Sequence, residues 1–454
     1  MDRNQPSLEV NVAEDFNNPA DPDSTIVEKE FAHGPKRRLY SFARAIYYAI
    51  PPRVRTLAQP VAVHSQLLKR LRPETWIIEG LEKHSELPFS VCLYVTTDQY
   101  KSYLETLIFG SSFRSRYLGQ AWLWKAFKDV PEAAANCSLI IAEVHELHLH
   151  LMGDQCGIVI PAWIRGSADL PRAPEGAQRE STKKILRTIK KQEMEYEVAS
   201  DQKSFDHFYD QMYVPHTRAR HGATVHLSTR QVAKESFDLG ELLLIKRQGE
   251  YVAGKLIKYE GDTAFVNYSG VQDGRMDLVH DGVLAAAMEF TLQHLEQRAF
   301  KTINFGQSRG FMNDGVLQFK KRYGQKIVST SSHKFLLRVL KNTKASQAFL
   351  QNNPFMFEQA GKLHGAAFVS DREPPAQHTL DSCQKHFSYP GLSKLLVCAL
   401  SPSEIEEPKA NSPDSAAPRH ARSQDKHLSQ ADGDGLMGQL GNIGSHTVTV
   451  IDLE

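Results

Sequence analysis

Long apolar runs are missing from this chain: none approaches the roughly 20 residues that a membrane-spanning helix requires, so a span is not expected. Its first residues, MDRNQPSLEVNVAEDFNNPADPDS, lack the charged start and apolar stretch of a secretory signal. Cysteine is scarce. Cys92, Cys137, Cys156, Cys383 and Cys398 are odd in number, far apart, and in none of the short paired spacings of zinc sites. That pattern excludes a disulfide-stapled secreted scaffold and points to a reducing, cytoplasmic compartment. An excess of one charge is absent too, with 54 Lys and Arg against 53 Asp and Glu, so no whole-protein field favours DNA or an anionic membrane. Any basic binding surface must be local.

What is present is 454 residues, 41% hydrophobic and 24% charged, enough for two ordinary domains with a buried core. Residues 1–34 are rich in Asn, Asp, Pro and Glu, too poor in large apolar side chains to offset their ordering entropy, and are expected to be disordered. The tail 401–454 reads the same way. Within PKRRLYSFARAIYYAIPPRVR, Leu39, Phe42, Ala43, Ile46, Ala49 and Ile50 fall at helical spacing before Pro51 and Pro52. This helix, 36–50, either packs on its own domain or touches an anionic membrane surface, placing the protein peripherally at the inner membrane.

From 61 to 170 both periods mix. SVCLYV and SLIIAEVHELHLHLMGDQCGIVIPAWI predict strands, the second turning near Gly153 and Asp154, while TTDQYKSYLETLIFG and AWLWKAFKDV predict helices. On a strand, His148 and His150 share one face and His145 takes the other, so no metal site is expected. A break at 165–180 reads as a linker.

The next segment is clearer. STKKILRTIKKQ predicts a helix with Ser181 as N-cap, MEYEVAS a strand, and DQKSFDHFYDQMY a helix that ends before Pro215. LLLIKR, YVAGKLIKYE and TAFVNYSGV, joined by short turns, form an antiparallel meander. GVLAAAMEFTLQHLEQRA is a strong helix, followed by strand KTINFG, helix GVLQFKKRYG and strand KIVSTSS; residues 334–366 look helical and peripheral.

Meander, helix, strand, helix, strand resembles the core of the GNAT fold. The stretches IKKQEMEYEV, FYDQMYVPHTRARHG, YVAGKLI and INFGQSRGFMNDGVLQFKKRYGQKI are similar to its FemAB-like branch, the last most specifically through its strand-glycine, loop and Phe-Lys-x-x-aromatic-Gly ending. The resemblance covers about 180–330 well and the preceding 100 residues loosely. It implies a bacterial α/β (α+β) protein with tandem GNAT-like lobes, each a mixed, largely antiparallel sheet flanked by helices. The lobes would be a degenerate one at 35–170 and an acyltransferase domain at 180–332, with a peripheral helical extension at 333–400.

The activity so implied moves an acyl group directly from acetyl-CoA, a co-substrate, onto an amino sugar, amino acid or glycan acceptor of cell-envelope or polysaccharide metabolism. By the same resemblance, TAFVNYSGV splays from its neighbour and offers backbone N–H groups, placing Ser269 and Gly270 at the donor. The pyrophosphate would meet the following helix N-terminus near Gly274, Arg275 and Gly282. The turn VQDGRMDLVHDG departs from the usual GNAT phosphate motif and carries Asp273, Asp277 and Asp281.

Candidate acids and bases are His221, among His216, Arg218 and Arg220 in a loop, and Tyr268; partly exposed histidine and core tyrosine are the plainer readings. Candidate substrate contacts are Lys320 and Arg322, Lys184 and Arg187 on the basic face of STKKILRTIKKQ, and Asn304, Gln307 and Ser308, beside Arg309, at a strand exit. A solvated basic face and a loop satisfying its own backbone are the alternatives. Transfer from aminoacyl-tRNA to a peptidoglycan precursor is the rival enzyme, and the lack of a heptad-rich arm speaks against tRNA. An inactive GNAT-like binding module is the rival from another class.

Overall fold

In the computed structural model, residues 70–453 are described, apart from 111, 128–130, 153–156, 173–175, 222–226, 371–373 and 401–445, where Leu436 alone is described. The helix expected at 36–50, the segment 1–34 and the turn at Gly153–Asp154 lie outside these residues. The chain divides into two compact units, Ala168–Gly306 and a second formed from the stretches either side of it, Gln66–Ser167 and Gln307–Glu454. Among the described residues, no helix is long and apolar enough to cross a membrane.

The split unit begins with the hairpin β1 (Glu74–Leu81) and β2 (Pro88–Val95), then α1 (Asp98–Phe109). Thr97 starts α1 by accepting the Tyr100 N–H at its Oγ1, and Gly110, at φ 72°, ends it. β3 (Phe113–Gln120) pairs with β1; β4 (Leu139–His145) runs parallel to β2; β5 (Ile158–Pro161) and β6 (Ile164–Asp169) follow. Alternation fills both faces of this sheet: Ile78, Val91, Leu93, Leu139 and Ile141 enter one core, and Ile77, Cys92, Tyr94, Ile140 and Ala142 the other. Where a helix was expected in AWLWKAFKDV, the described residues 121–127 hold a 3-10 turn at Leu123–Lys125, and Glu146–Leu151 is also 3-10, so the expected strand stops at His145.

In the continuous unit, α2 (Gly176–Lys191) takes up part of the expected linker and leaves Ser181 inside the helix rather than capping it. After β7 (Met194–Ala199), helix α3 (Gln202–His207), capped by Asp201, widens into a π turn at Phe208–Tyr213 and resumes as α4 (Val214–His221). Val214 N donates to Tyr209 O, five residues back. The helix therefore runs through Pro215, where propensity predicts an end. Then come α5 (Arg230–Asp238), which the sequence pattern did not signal, and the expected meander β8 (Gly240–Arg247), β9 (Glu250–Glu260) and β10 (Thr263–Val271).

Short α6 (Met276–His280), long α7 (Val283–Gln297) and β11 (Thr302–Ser308) complete the unit, with strand order β11-β10-β9-β8-β7. One face packs on Phe205, Phe208, Met212 and Phe237, the other on Val283, Ala286, Ala287 and Phe290 of α7. β10 approaches the π turn so closely that a Cβ at Gly270 would stand 2.6 Å from Met212 C and Tyr213 N. Glycine is the residue type that this approach permits.

The chain returns to the split unit with α8 (Gly315–Lys321), β12 (Lys326–Ser329), which pairs with β6, and β13 (His333–Val339). β13 inserts between β4 and β5, giving the order β3-β1-β2-β4-β13-β5. Residues expected to form a near-hairpin are therefore separated by a strand about 180 residues further on, and the lobes are nested rather than consecutive. After α9 (Lys344–Asn352), β14 (Phe355–Gln359), β15 (Lys362–Val369), α10 (Gln377–Phe387), β16 (Lys394–Leu400) and β17 (His446–Asp452) form a second sheet, β14-β15-β16-β17. The expected helical extension at 333–400 thus contributes four strands, because HKFLLRV and KLHGAAFV are buried on both faces and carry no alternation. The tail ends in a paired strand, Lys394 opposite Asp452 through Leu400 opposite His446.

Candidate active site

The site builds outward from β10. It pairs in parallel with β11 only over Thr263–Thr302, Ala264–Ile303 and Phe265–Asn304, then continues to Val271 with β9 as its partner. A bulge falls at the same point: Phe265 and Tyr268 lie opposite Lys258 and Leu256, so β10 holds one extra residue. Beyond Phe265 every second residue turns its N–H and C=O away from β9 toward an edge that β11 has left. The mouth is narrow. Asn304 Oδ1 accepts the Gly306 N–H at 2.8 Å, and Gly306, at φ +70°, has Asn267 Oδ1 3.0 Å from its Cβ position.

Ser269 lies on the unpaired stretch. Its carbonyl oxygen faces Nδ1 of His216 at 3.4 Å, and since a carbonyl only accepts, a hydrogen bond here requires the hydrogen on Nδ1. A carbonyl turned off the ladder carries its own N–H the same way, so the Ser269 N–H also faces the open edge. His216 is buried on α4, not in the expected loop, whereas Arg218 and Arg220 are exposed. His221 ends that helix, and its side chain lies outside the described residues.

Lys255 of β9 was not singled out by sequence. It is 3% exposed and its Nζ donates to Ser269 Oγ at 2.9 Å. It stands on the sheet face that carries Ala253 and is covered by α7; burial draws its pKa down from 10.5 to about 7. The only available signal was a lysine at an inward position of an otherwise apolar strand, GKLI.

Tyr268 occupies the opposite face, edge-on to Tyr213 at 5.3 Å and 2% exposed, and burial pushes its pKa up to about 12. A phenol so placed stays protonated at neutral pH, and its position is the core one. Gly270 and Gly274 present their Cβ sides to helix backbone, Gly274 at 2.7 Å from Pro215 O. Arg275 is exposed and paired with Asp277 at 2.5 Å, while Asp281 pairs with Arg247 at 2.9 Å. Two of the three carboxylates on this turn are thus neutralised locally.

Gly282, at φ 88°, caps α7 without a side chain, and α2 crosses this end: Thr188 Cγ2 is 3.8 Å from the Gly282 Cβ position, and Gln192 Nε2 donates to Asp281 O. Lys184 and Arg187 are exposed on the same helix.

Lys320, Gln307 and Ser308 meet in the split unit. Lys320 is 7% exposed rather than on a solvated face, its Nζ donating to Gln307 O at 2.6 Å and Ser308 Oγ at 3.1 Å. Arg322 is exposed and Asn304 belongs to the continuous unit, so these five do not form one described cluster. His145, expected across a strand from His148, instead has its ring 5.9 Å from that of His148 and 5.8 Å from His333, because the chain turns into 3-10 helix. Among the described residues, no group of three His, Cys, Asp or Glu is arranged to hold a metal.

No protein-family model and no curated protein matches the chain. Solved structures with similarity include L-PGS from Bacillus licheniformis, at 14% identity and TM-score 0.31 over 46% of this chain and 70% of that one. FemX aligns at 12% identity and TM-score 0.31 over 55% and 81%. A GCN5-related N-acetyltransferase from Sphaerobacter thermophilus aligns at 15% identity and TM-score 0.26 over 55% and 71%. Likeness at this level assigns neither a family nor an activity to the chain.

Proposed function

We propose that the chain is an acyltransferase of the GNAT type, closest to the FemAB-like branch. It would carry an acyl group directly from acetyl-CoA to the amine or hydroxyl of an amino sugar, amino acid or polysaccharide-related acceptor. The observation that supports this is the departure of β10 from β11 after Phe265, with Ser269 on the opened edge between His216 and Lys255. In this reading the Ser269 N–H donates to the thioester carbonyl oxygen, and more strongly as that oxygen gains charge. Nε2 of His216 takes the proton as the acceptor attacks; the new C–N or C–O bond forms, the C–S bond breaks, and the proton passes to the departing thiolate. Lys255 holds the Ser269 hydroxyl. Lys184 and Arg187, on the helix that crosses the α7 N-terminus, supply cations for the donor's phosphates. A cytoplasmic location, with contact at the inner membrane surface through 36–50, belongs to the same proposal.

The test is calorimetric and thermal-shift titration of the full chain with acetyl-CoA, longer acyl-CoA and free coenzyme A. Micromolar saturable binding supports the reading. His216→Gln should then keep that affinity and lower thiol release with an active acceptor by about 10²–10⁴-fold. Absence of thioester binding would sink the acetyl-CoA reading in favour of an aminoacyl-tRNA donor or a non-catalytic module.

A further inference from the structure

Arg309 follows β11 in the split unit and is not among the residues used above for acyl transfer. Its guanidinium carbon stands 3.6 Å from the ring centroid of Trp163, 4.0 Å from Tyr103 and 5.5 Å from Tyr100. The residue is 9% exposed, and Nη1 is buried without a hydrogen-bond partner. No ion pair reaches it among the described residues; burial pulls its pKa below the ordinary arginine value, outweighing Tyr103, Tyr100, which also hydrogen-bonds it, and Asp314, all of which favour the cation. The Trp163 indole N–H is committed to the Tyr100 hydroxyl at 3.1 Å, which holds the cage in shape.

Aromatic faces and hydrogen-bond acceptors satisfy different parts of a guanidinium. The rings attract the cation through its faces, and more strongly when the contact is desolvated. They leave the buried Nη1, on the N–H edge in the guanidinium plane, without an acceptor, and a buried cation whose in-plane N–H groups are incompletely bonded is destabilised. What the edge lacks is an acceptor in the plane, and the forked oxygens of a carboxylate or phosphate match guanidinium spacing in two parallel bonds.

We propose that the caged edge of Arg309 binds a forked oxyanion, the carboxylate or phosphate group of a small ligand. The full chain is titrated with sodium acetate and with sodium phosphate, against sodium chloride at equal ionic strength, following tryptophan emission and melting temperature. A saturable response to one of the two beyond that to chloride is expected, and the anion that saturates at lower concentration identifies the class. Arg309→Met keeps the packing stem and removes the charge; it should melt no lower than wild type without anion and lose the saturable response. Arg309→Lys keeps charge without the fork and should bind at least tenfold more weakly, and it decides the matter if the methionine variant does not fold. Wild type responding only as to chloride, or either variant responding as wild type does, overturns the site.

Discussion

Replacing Lys255 by Met tests whether a buried amine stands where the structure puts it. The ammonium is 3% exposed, Ser269 Oγ is its hydrogen-bond partner, and its folded pKa lies near 7 against 10.5 when solvated. Both states are deprotonated above about pH 10.5, so the group then exerts no proton-linked effect. As pH falls below that value the unfolded chain binds a proton that the folded chain resists, so stability declines until about pH 7 and levels off below it. The full span is worth roughly 5 kcal/mol, at about 1.4 kcal/mol per pH unit. Met, of similar length and without charge, removes that dependence. In urea titrations at pH 7, 8, 9 and 10, wild type minus Lys255→Met should rise toward the alkaline end by about 1 kcal/mol per pH unit or more. Other titrating groups are common to both proteins and cancel. A difference that stays flat across this range refutes the buried neutral amine, and with it the assignment of Lys255 to the site.

Three further outcomes are expected. Deleting residues 446–454 strips β17 from β16 and takes Val448, Val450 and Ile451 out of their packing against the buried residues of β16, so the melting temperature should fall by several degrees or more; an unchanged melt would return the tail to the dispensable role its composition suggests. Gly270→Ala places a Cβ 2.6 Å from Met212 C and Tyr213 N, backbone atoms that cannot swing aside, and should cost about 1–3 kcal/mol in denaturant midpoint analysis, a neutral effect contradicting the close approach. Glu289, 1% exposed, takes both Arg172 terminal nitrogens at 2.7 and 2.6 Å; Glu289→Ala should cost about 3–5 kcal/mol, and a loss under 1 kcal/mol would mean that Glu296 alone satisfies Arg172.

Much of the continuous unit was legible from local pattern. The meander, the alanine-rich helix and the strand KTINFG depend on alternation and propensity between neighbours in sequence, and the structure has them within a few residues of the expected bounds. The site was read less well, because its members are ordinary residues made unusual by burial. Lys320 reads as one of two adjacent surface lysines until Gln307 and Ser308 close over it, and Lys255 shows only as a charge in GKLI. His216, one of two histidines five residues apart, is distinguished from His221 by a helix that runs through Pro215 and turns it onto Ser269.

The amino-acid sequence by itself determined the class of architecture, the meander and the helix, strand, helix and strand that follow it up to residue 329, and the glycines that let β10 lie against a helix. Tertiary structure decided how the chain is divided. β13 pairs with β4 across nearly 190 residues and β17 closes on β16 across a long intervening stretch. Such pairings are made by backbone hydrogen bonds and by burial on both faces, and neither leaves a periodic trace in the residues concerned. For the same reason a guanidinium caged by three rings from two distant stretches, and a lysine whose charge the interior suppresses, exist only once the fold has removed water from around them.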